Sequence, residues 1–227
     1  MSFRPFPSAI RRLLVAAMLA APLAAPAQET PRVRFVTSAG DFVVEVYPDK
    51  APKTAENFLQ YVRDKHYDGT IFHRVIDNFM IQGGGYDPAY AERKTRAPVV
   101  HEGREALARG GLRNVVGTLA MARTNDPNSA TAQFFINVKD NAFLDPTPIP
   151  PGDPVPRFEY QGRVYENVPR ANLLGAPQLY GYTVFGRVVS GMDVVMKIKA
   201  LPTGAGGPFA SDVPRSAVLI KSAALVR

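Results

Sequence analysis

The chain has 227 residues, with 27 Lys plus Arg, 20 Asp plus Glu and no Cys. Zero Cys excludes a disulfide framework, thiolate catalysis, Cys-ligated zinc or iron–sulfur centres, and a lipid-modified N-terminal Cys. The formal charge of +7 includes Arg4, Arg11 and Arg12 at the N-terminus; the chain after residue 27 has 24 basic against 20 acidic residues, or +4, spread along its length. That is no electrostatic footprint for nucleic acid.

Met1 to Arg12 is a short basic segment and Leu13 to Ala21 an apolar one. Pro22 interrupts it, and Ala25-Pro26-Ala27 offers small residues where a signal peptidase reads. The order predicts a secretory signal peptide over 1–27, cleaved before Gln28. The apolar run is too short for a spanning helix, so no stable membrane insertion is expected after cleavage. The expected destination is the periplasm, with release outside the cell as the alternative. Arg11-Arg12 leaves both the general and the twin-arginine export routes open. Residues 28–227 are read as one domain.

Val33 to Thr37 and Phe42 to Tyr47 read as a hairpin around Ser38-Ala39-Gly40-Asp41. Ala55, Phe58, Leu59 and Val62 recur at helical spacing, predicting a helix over Pro52 to His66 with proline in its first turn. Ile71 to Ile76 and Met80 to Gly83 read as strands around Asp77-Asn78, and Pro88 to Gly111 as a long polar loop. Further strands are expected at Thr118 to Ala122, Phe134 to Val138, Tyr182 to Val188 and Ser216 to Val226. Gly191 to Ala200 reads as a helix and Leu201 to Asp212 as a loop. Short strands with turns and no βαβ alternation predict a mainly β fold, a closed antiparallel barrel with its ends plugged.

Asp145 to Leu179 is a proline-rich insert at about 145–180, carrying eight prolines. Such density favours extended, semi-rigid backbone. Gln161-Gly162, between Phe158–Tyr160 and Arg163–Tyr165, marks a small hairpin inside it.

Nucleotide-binding loops and the Gly-x-Ser-x-Gly elbow are missing from the sequence. His66, His73 and His101 lack metal-ligand spacing, so no metal and no cofactor is expected. What remains is a binding protein or an enzyme that uses no nucleophile.

The segment Phe72-His73-Arg74-Val75-Ile76-Asp77-Asn78-Phe79-Met80-Ile81-Gln82-Gly83-Gly84 resembles the signature of the cyclophilins, the peptidyl-prolyl cis–trans isomerases. Pro52–Phe58, Gly117–Ala122, Gln133–Ile136, Val184–Val188 and Gly191–Val195 resemble further family motifs in the family's order. The likeness covers about Arg32 to Val226, apart from the insert, and is nearest the exported bacterial branch. It implies an eight-stranded antiparallel barrel capped by two α-helices and rotation about X–Pro bonds during folding of exported proteins. Proline-containing unfolded or extended polypeptides are the implied partners, and the protein is expected to be a monomer.

The resemblance also implies roles. Arg74 would donate to the prolyl nitrogen, with Gln82 orienting it. Phe79, Met80, Phe135 and Leu144 would form the proline socket, and the backbone of Ala122, Arg123 and Thr124 would bind the residues before the proline. Gln133 lies on the same strand face as Phe135, while alternation sends Phe134 to the core and turns His73 away from Arg74. Arg123 replaces an Asn of many members, and a cation at the rim would favour acidic substrates. Phe143 replaces a Trp, and Tyr182 a His. The rival reading keeps the same barrel as a peptide-binding module or holdase with little turnover. The insert reads either as a surface loop or as an added wall using Phe158, Tyr160 and Tyr165. Because Phe143 lacks the indole N–H, only weak cyclosporin binding is expected; a tight complex in a calorimetric titration would refute this.

Overall fold

The computed structural model describes Met1 and residues 30–226. Apart from Met1, the signal segment lies outside the described residues. In chain order the first strands are β1 (Arg32–Thr37), β2 (Gly40–Val46), β3 (Thr70–Ile71), β4 (Arg74–Ile76), β5 (Met80–Gly83), β6 (Thr118–Met121) and β7 (Phe134–Asn137). They are followed by β8 (Val155–Tyr160), β9 (Arg163–Val168), β10 (Val184–Ser190), β11 (Thr203–Gly206), β12 (Phe209–Pro214) and β13 (Leu219–Val226). The helices are α1 (Pro52–Arg63), α2 (Gly103–Ala108), α3 (Arg170–Leu174) and α4 (Met192–Lys199). Among the described residues no helix is long and apolar enough to cross a membrane.

The fold is mainly β and antiparallel. The expected closed barrel of eight strands is instead a curled sheet of nine, ordered β3-β13-β1-β2-β10-β6-β7-β5-β4. The expected strand Ile71–Ile76 divides because its backbone changes partner. Phe72 N–H donates to Val218 O at 3.0 Å, beside β13, whereas Arg74 to Ile76 pair with β5. The two edges of the sheet are thus joined through Phe72-His73 by the chain itself, and not by a hydrogen-bonded ladder.

One face of this sheet builds the core. On β1, Val33 and Phe35 point inward while Arg32 and Arg34 point out, the period of two that strand geometry imposes. Phe35 stacks on Phe42 at 4.9 Å, and Phe58 of α1 meets Phe185 at 5.0 Å. Two longer helices were expected and both are present, with α4 adding Val195 and Ile198 to the same core as Phe58 and Val62 of α1. Helix α1 stops three residues short of its predicted end, at Asp64, before Lys65 takes a positive φ of 56°.

Three segments hold more structure than expected. The loop Pro88–Gly111 contains α2. Leu201–Asp212 contains most of the β11–β12 hairpin, which packs on β4. Its run of glycines has low strand propensity, so pairing and packing decide its conformation. The insert folds around Val155, Phe158, Leu173 and Leu179, a small apolar cluster of its own. Its β8–β9 hairpin turns at Gln161-Gly162, both at positive φ, as a two-residue turn of this hand requires.

Helix α1 has no side-chain cap from its own first residues. A buried carboxylate from 48 positions away replaces it. Glu102 Oε1 accepts from Lys53 N–H at 3.2 Å, and Oε2 accepts from Thr54 N–H and Thr54 Oγ1, both at 2.8 Å. Negative charge at a helix N-terminus also complements the macrodipole. Glu102→Ala is expected to cost about 1–3 kcal/mol in urea unfolding, through lost capping and stranded donors. A loss below about 0.5 kcal/mol would remove Glu102 from this role.

Candidate active site

Arg74 and Gln82 face each other across the β4–β5 ladder. Arg74 Nη1 donates to Gln82 Oε1 at 3.3 Å, and Gln82 Nε2 donates to Gln133 Oε1 at 2.9 Å. Gln133 is on β7's approach, so three adjacent strand segments contribute one polar row. The guanidinium stands at the mouth of a cavity of about 150 Å³. Arg74, Gln82, Phe79, Met80 and Phe135 line one side of it, with Ala122, Arg123, Leu144 and Tyr182 around the rest.

The apolar part is a second cluster, separate from the main core. Met80, Ala120, Phe135, Leu144 and Val184 are buried there, with Phe79 and Tyr182 packed against them. Alternation explains the separation. Ile81, Phe134 and Ile136 belong to the main core, and their chain neighbours Met80 and Phe135 face the opposite way. Tyr182 meets Phe135 edge-on at 5.4 Å, closing the cavity wall.

Three of the twelve sequence candidates stand outside the lining. Gln133 sits behind Gln82. Phe143 is 75% exposed and stacks on Phe79 at 5.7 Å, extending the wall outward. Thr124 has its N–H donated to Ser129 Oγ at 2.9 Å and its carbonyl occupied by Arg123 Nη1 at 2.8 Å. Of the three rim residues proposed for backbone pairing, Ala122 and Arg123 therefore border the cavity and Thr124 does not.

Arg123 is held inward. Its Nε and Nη2 donate to Gly181 O at 3.0 and 2.8 Å, and its guanidinium lies 4.6 Å from the centre of the Tyr182 ring. The donors that would meet an acidic substrate are engaged in fastening Tyr182. Gly181 itself has φ +63°, and a Cβ there would fall 2.5 Å from Leu144 O. Only glycine fits where the two ends of the insert meet.

Residues 32–225 match the family model described as cyclophilin type peptidyl-prolyl cis-trans isomerase/CLD. The chain is 49% identical over 194 residues to peptidyl-prolyl cis-trans isomerase cyp18 of Streptomyces antibioticus, covering 86% of this chain and 98% of that protein. It is 46% identical over 190 residues to peptidyl-prolyl cis-trans isomerase B of Escherichia coli, covering 84% and 96%. The chain belongs to the cyclophilin-type peptidyl-prolyl cis–trans isomerases. A solved cyclophilin-type isomerase of Cryptosporidium parvum, in the presence of the dipeptide Ala-Pro, shares the fold at a TM-score of 0.56 and 22% identity, covering 86% of this chain and 99% of that one.

Around this cyclophilin site lie groups that the sequence left unmarked. Asp212 of β12 comes 3.9 Å from Arg74 Nε. Its segment reads as loop, and no local pattern links it to Arg74, 138 positions earlier. His101 Nε2 lies 3.2 Å from Gly181 O, the acceptor that Arg123 also uses. His73 is turned away from the cavity, as alternation predicts, into an aromatic nest. It lies 4.7 Å from Tyr86 and 5.4 Å from Phe209. Burial, reinforced by the charge of Arg74, pushes its pKa down to about 4. Burial does the same to His101, also to about 4.

These shifts set a pH dependence of stability. The unfolded imidazole takes its proton near pH 6.5 and the folded one only near 4. Between those values the unfolded chain binds more protons, so stability falls as pH falls. For His73 the loss is on the order of 2–3 kcal/mol across the window. Urea midpoints from pH 7 to 4 are expected to drop less steeply for His73→Phe than for the natural protein. Parallel curves would show that His73 protonates as readily folded as unfolded.

Proposed function

We propose that the protein accelerates rotation about X–Pro bonds by presenting Arg74 to the prolyl nitrogen while the ring sits in the adjacent apolar cavity. The X–Pro amide is planar because of C–N resonance, with a barrier of about 18–20 kcal/mol. Uncatalysed exchange takes tens to hundreds of seconds. Twisting the bond ends the resonance and leaves a lone pair on nitrogen. A guanidinium is permanently charged and carries its donors in a fixed fork. Its hydrogen bond strengthens as the lone pair develops, so it favours the transition state over the ground state.

The observation that supports this reading is the placement of the Arg74 fork at an apolar cavity, steadied by Gln82 at 3.3 Å. Met80, Phe135 and Leu144 give the ring a dry wall, and Phe79 and Tyr182 close the sides. Substrate backbone before the proline would run along Ala122 and Arg123 in the manner of an added strand, which binds extended chain without reading its sequence. Nothing in this scheme requires a nucleophile or proton transfer. The substrates proposed are extended, proline-containing segments of exported proteins in the periplasm. The leader over 1–27 supports that compartment; N-terminal sequencing of the periplasmic fraction should begin at Gln28.

The cis-to-trans rate of an Ala-Pro test peptide at low temperature tests the chemistry. Strong acceleration is expected from the natural protein. Arg74→Ala is expected to lower kcat/KM by about 10²–10³, the loss typical of one preorganised donor. Full activity in that variant would remove Arg74 from the mechanism. No acceleration by the folded natural protein would favour a peptide-binding holdase on the same barrel.

A further inference from the structure

The guanidinium of Arg74 has three nitrogens, and two of them face protein groups. Nη1 faces Gln82 Oε1 at 3.3 Å. Nε faces Asp212 Oδ2 at 3.9 Å. Among the described residues Nη2 has no protein acceptor. The Asp212 contact is an ion pair beyond hydrogen-bond length, but the fork is planar and rigid, so a charge that draws one edge turns the others with it.

Asp212 is set in place by more than its own side chain. It sits at φ +67°, a left-handed conformation that Asp tolerates better than most residues. Strain of this kind persists where the surroundings over-determine the backbone, and here they do. Val213 beside it is buried. Phe209 at the start of β12 stacks on His73, the neighbour of Arg74, and meets Tyr86 edge-on at 5.1 Å. Both strands that carry the pair are therefore pinned to one aromatic nest. As a source of stability the pair is weak, because both side chains are more than a third exposed and such pairs contribute about 0–1 kcal/mol. Orientation is the effect left for it.

We propose that Asp212 is a positioning residue for Arg74: its carboxylate holds the Nε edge of the guanidinium and leaves Nη2 directed to the prolyl nitrogen. The inference rests on the donor role of Arg74 above. It deepens that role by naming what aims the donor from the side opposite Gln82. Loss of Asp212 should then leave peptide binding intact and widen the range of guanidinium orientations in the complex. A misaimed donor lowers kcat while KM stays.

The experiment measures kcat and KM separately for an Ala-Pro peptide, by exchange NMR, with Asp212→Asn, Asp212→Glu, Arg74→Ala and the Arg74→Ala/Asp212→Asn double variant. Asn keeps the size and the tolerance of left-handed backbone, so the fold should survive; thermal unfolding checks this. Asp212→Asn is expected to lower kcat about 3–10-fold with KM unmoved. Glu should restore part of the loss. The double variant should match Arg74→Ala alone, and the Arg74 Nε–H resonance should shift in Asp212→Asn. Unchanged kcat in Asp212→Asn would overturn the positioning role while leaving the donor role standing. An equal loss with and without Arg74 would also overturn it, since Asp212 would then act through the fold. Full activity in Arg74→Ala would overturn both.

Discussion

Strand alternation across β5 and β7 is the constraint on which the rest depends. Consecutive residues there serve opposite faces. Ile81, Phe134 and Ile136 fill the main core, while Met80 and Phe135 build the apolar hollow outside it. A slip of one residue would exchange the two sets entirely. The core therefore specifies the site: the packing of Phe134 against Tyr67 at 5.4 Å and Phe58 at 5.9 Å leaves Phe135 no alternative but to face the cavity. The ladder register then sets Gln82 opposite Arg74 on one side and Phe135 on the other. Polar row and apolar hollow are consequences of one registration.

This arrangement suits a reaction that needs position more than chemical potential. The barrier is torsional, and in the mechanism proposed above the catalytic contribution comes from a donor aimed where a lone pair forms. Other titratable groups near the cavity are engaged by the fold. His73 is neutralised by burial and faces away. Arg123, a cation beside the cavity, has its donors absorbed by Gly181 and Thr124 carbonyls. Arg74 alone among these offers a free edge to the cavity.

Sequence and structure agree where the information is local or periodic. The β1–β2 hairpin, α1, α4 and the face assignments of Phe134 and Phe135 follow from spacing, and nine of the twelve residues named from the family resemblance line one cavity. The misses share a cause: they are settled by distant partners. Ile71–Ile76 reads as one strand until Phe72 finds Val218. The glycine-rich segment before Asp212 reads as loop until Phe209 finds His73 and Tyr86. Glu102 carries no local mark of a cap, because its helix lies 48 positions earlier. Thr124 stands next to Arg123 in sequence yet outside the cavity lining, its N–H on the Ser129 hydroxyl and its carbonyl accepting from Arg123.

The insert shows why a long addition beside an active site need not disturb it. Its ends are tied at a neck: Tyr182 N–H donates to Leu144 O at 2.9 Å, and Thr147 N–H to Leu179 O at 3.0 Å. Gly181 lies flush against Leu144–Pro146, and two Arg123 donors fix its carbonyl. The arm beyond the neck has its own apolar cluster, with Phe158 buried inside and Tyr165 exposed. Closing a longer loop costs little more entropy than closing a short one. Once the neck is closed, the positions of Leu144 and Tyr182 depend on the neck and on Arg123, not on what the arm contains. Arg123 thus joins the rim to the neck: it holds the Gly181 carbonyl and lies against the Tyr182 ring, beside the point where the two ends of the arm meet.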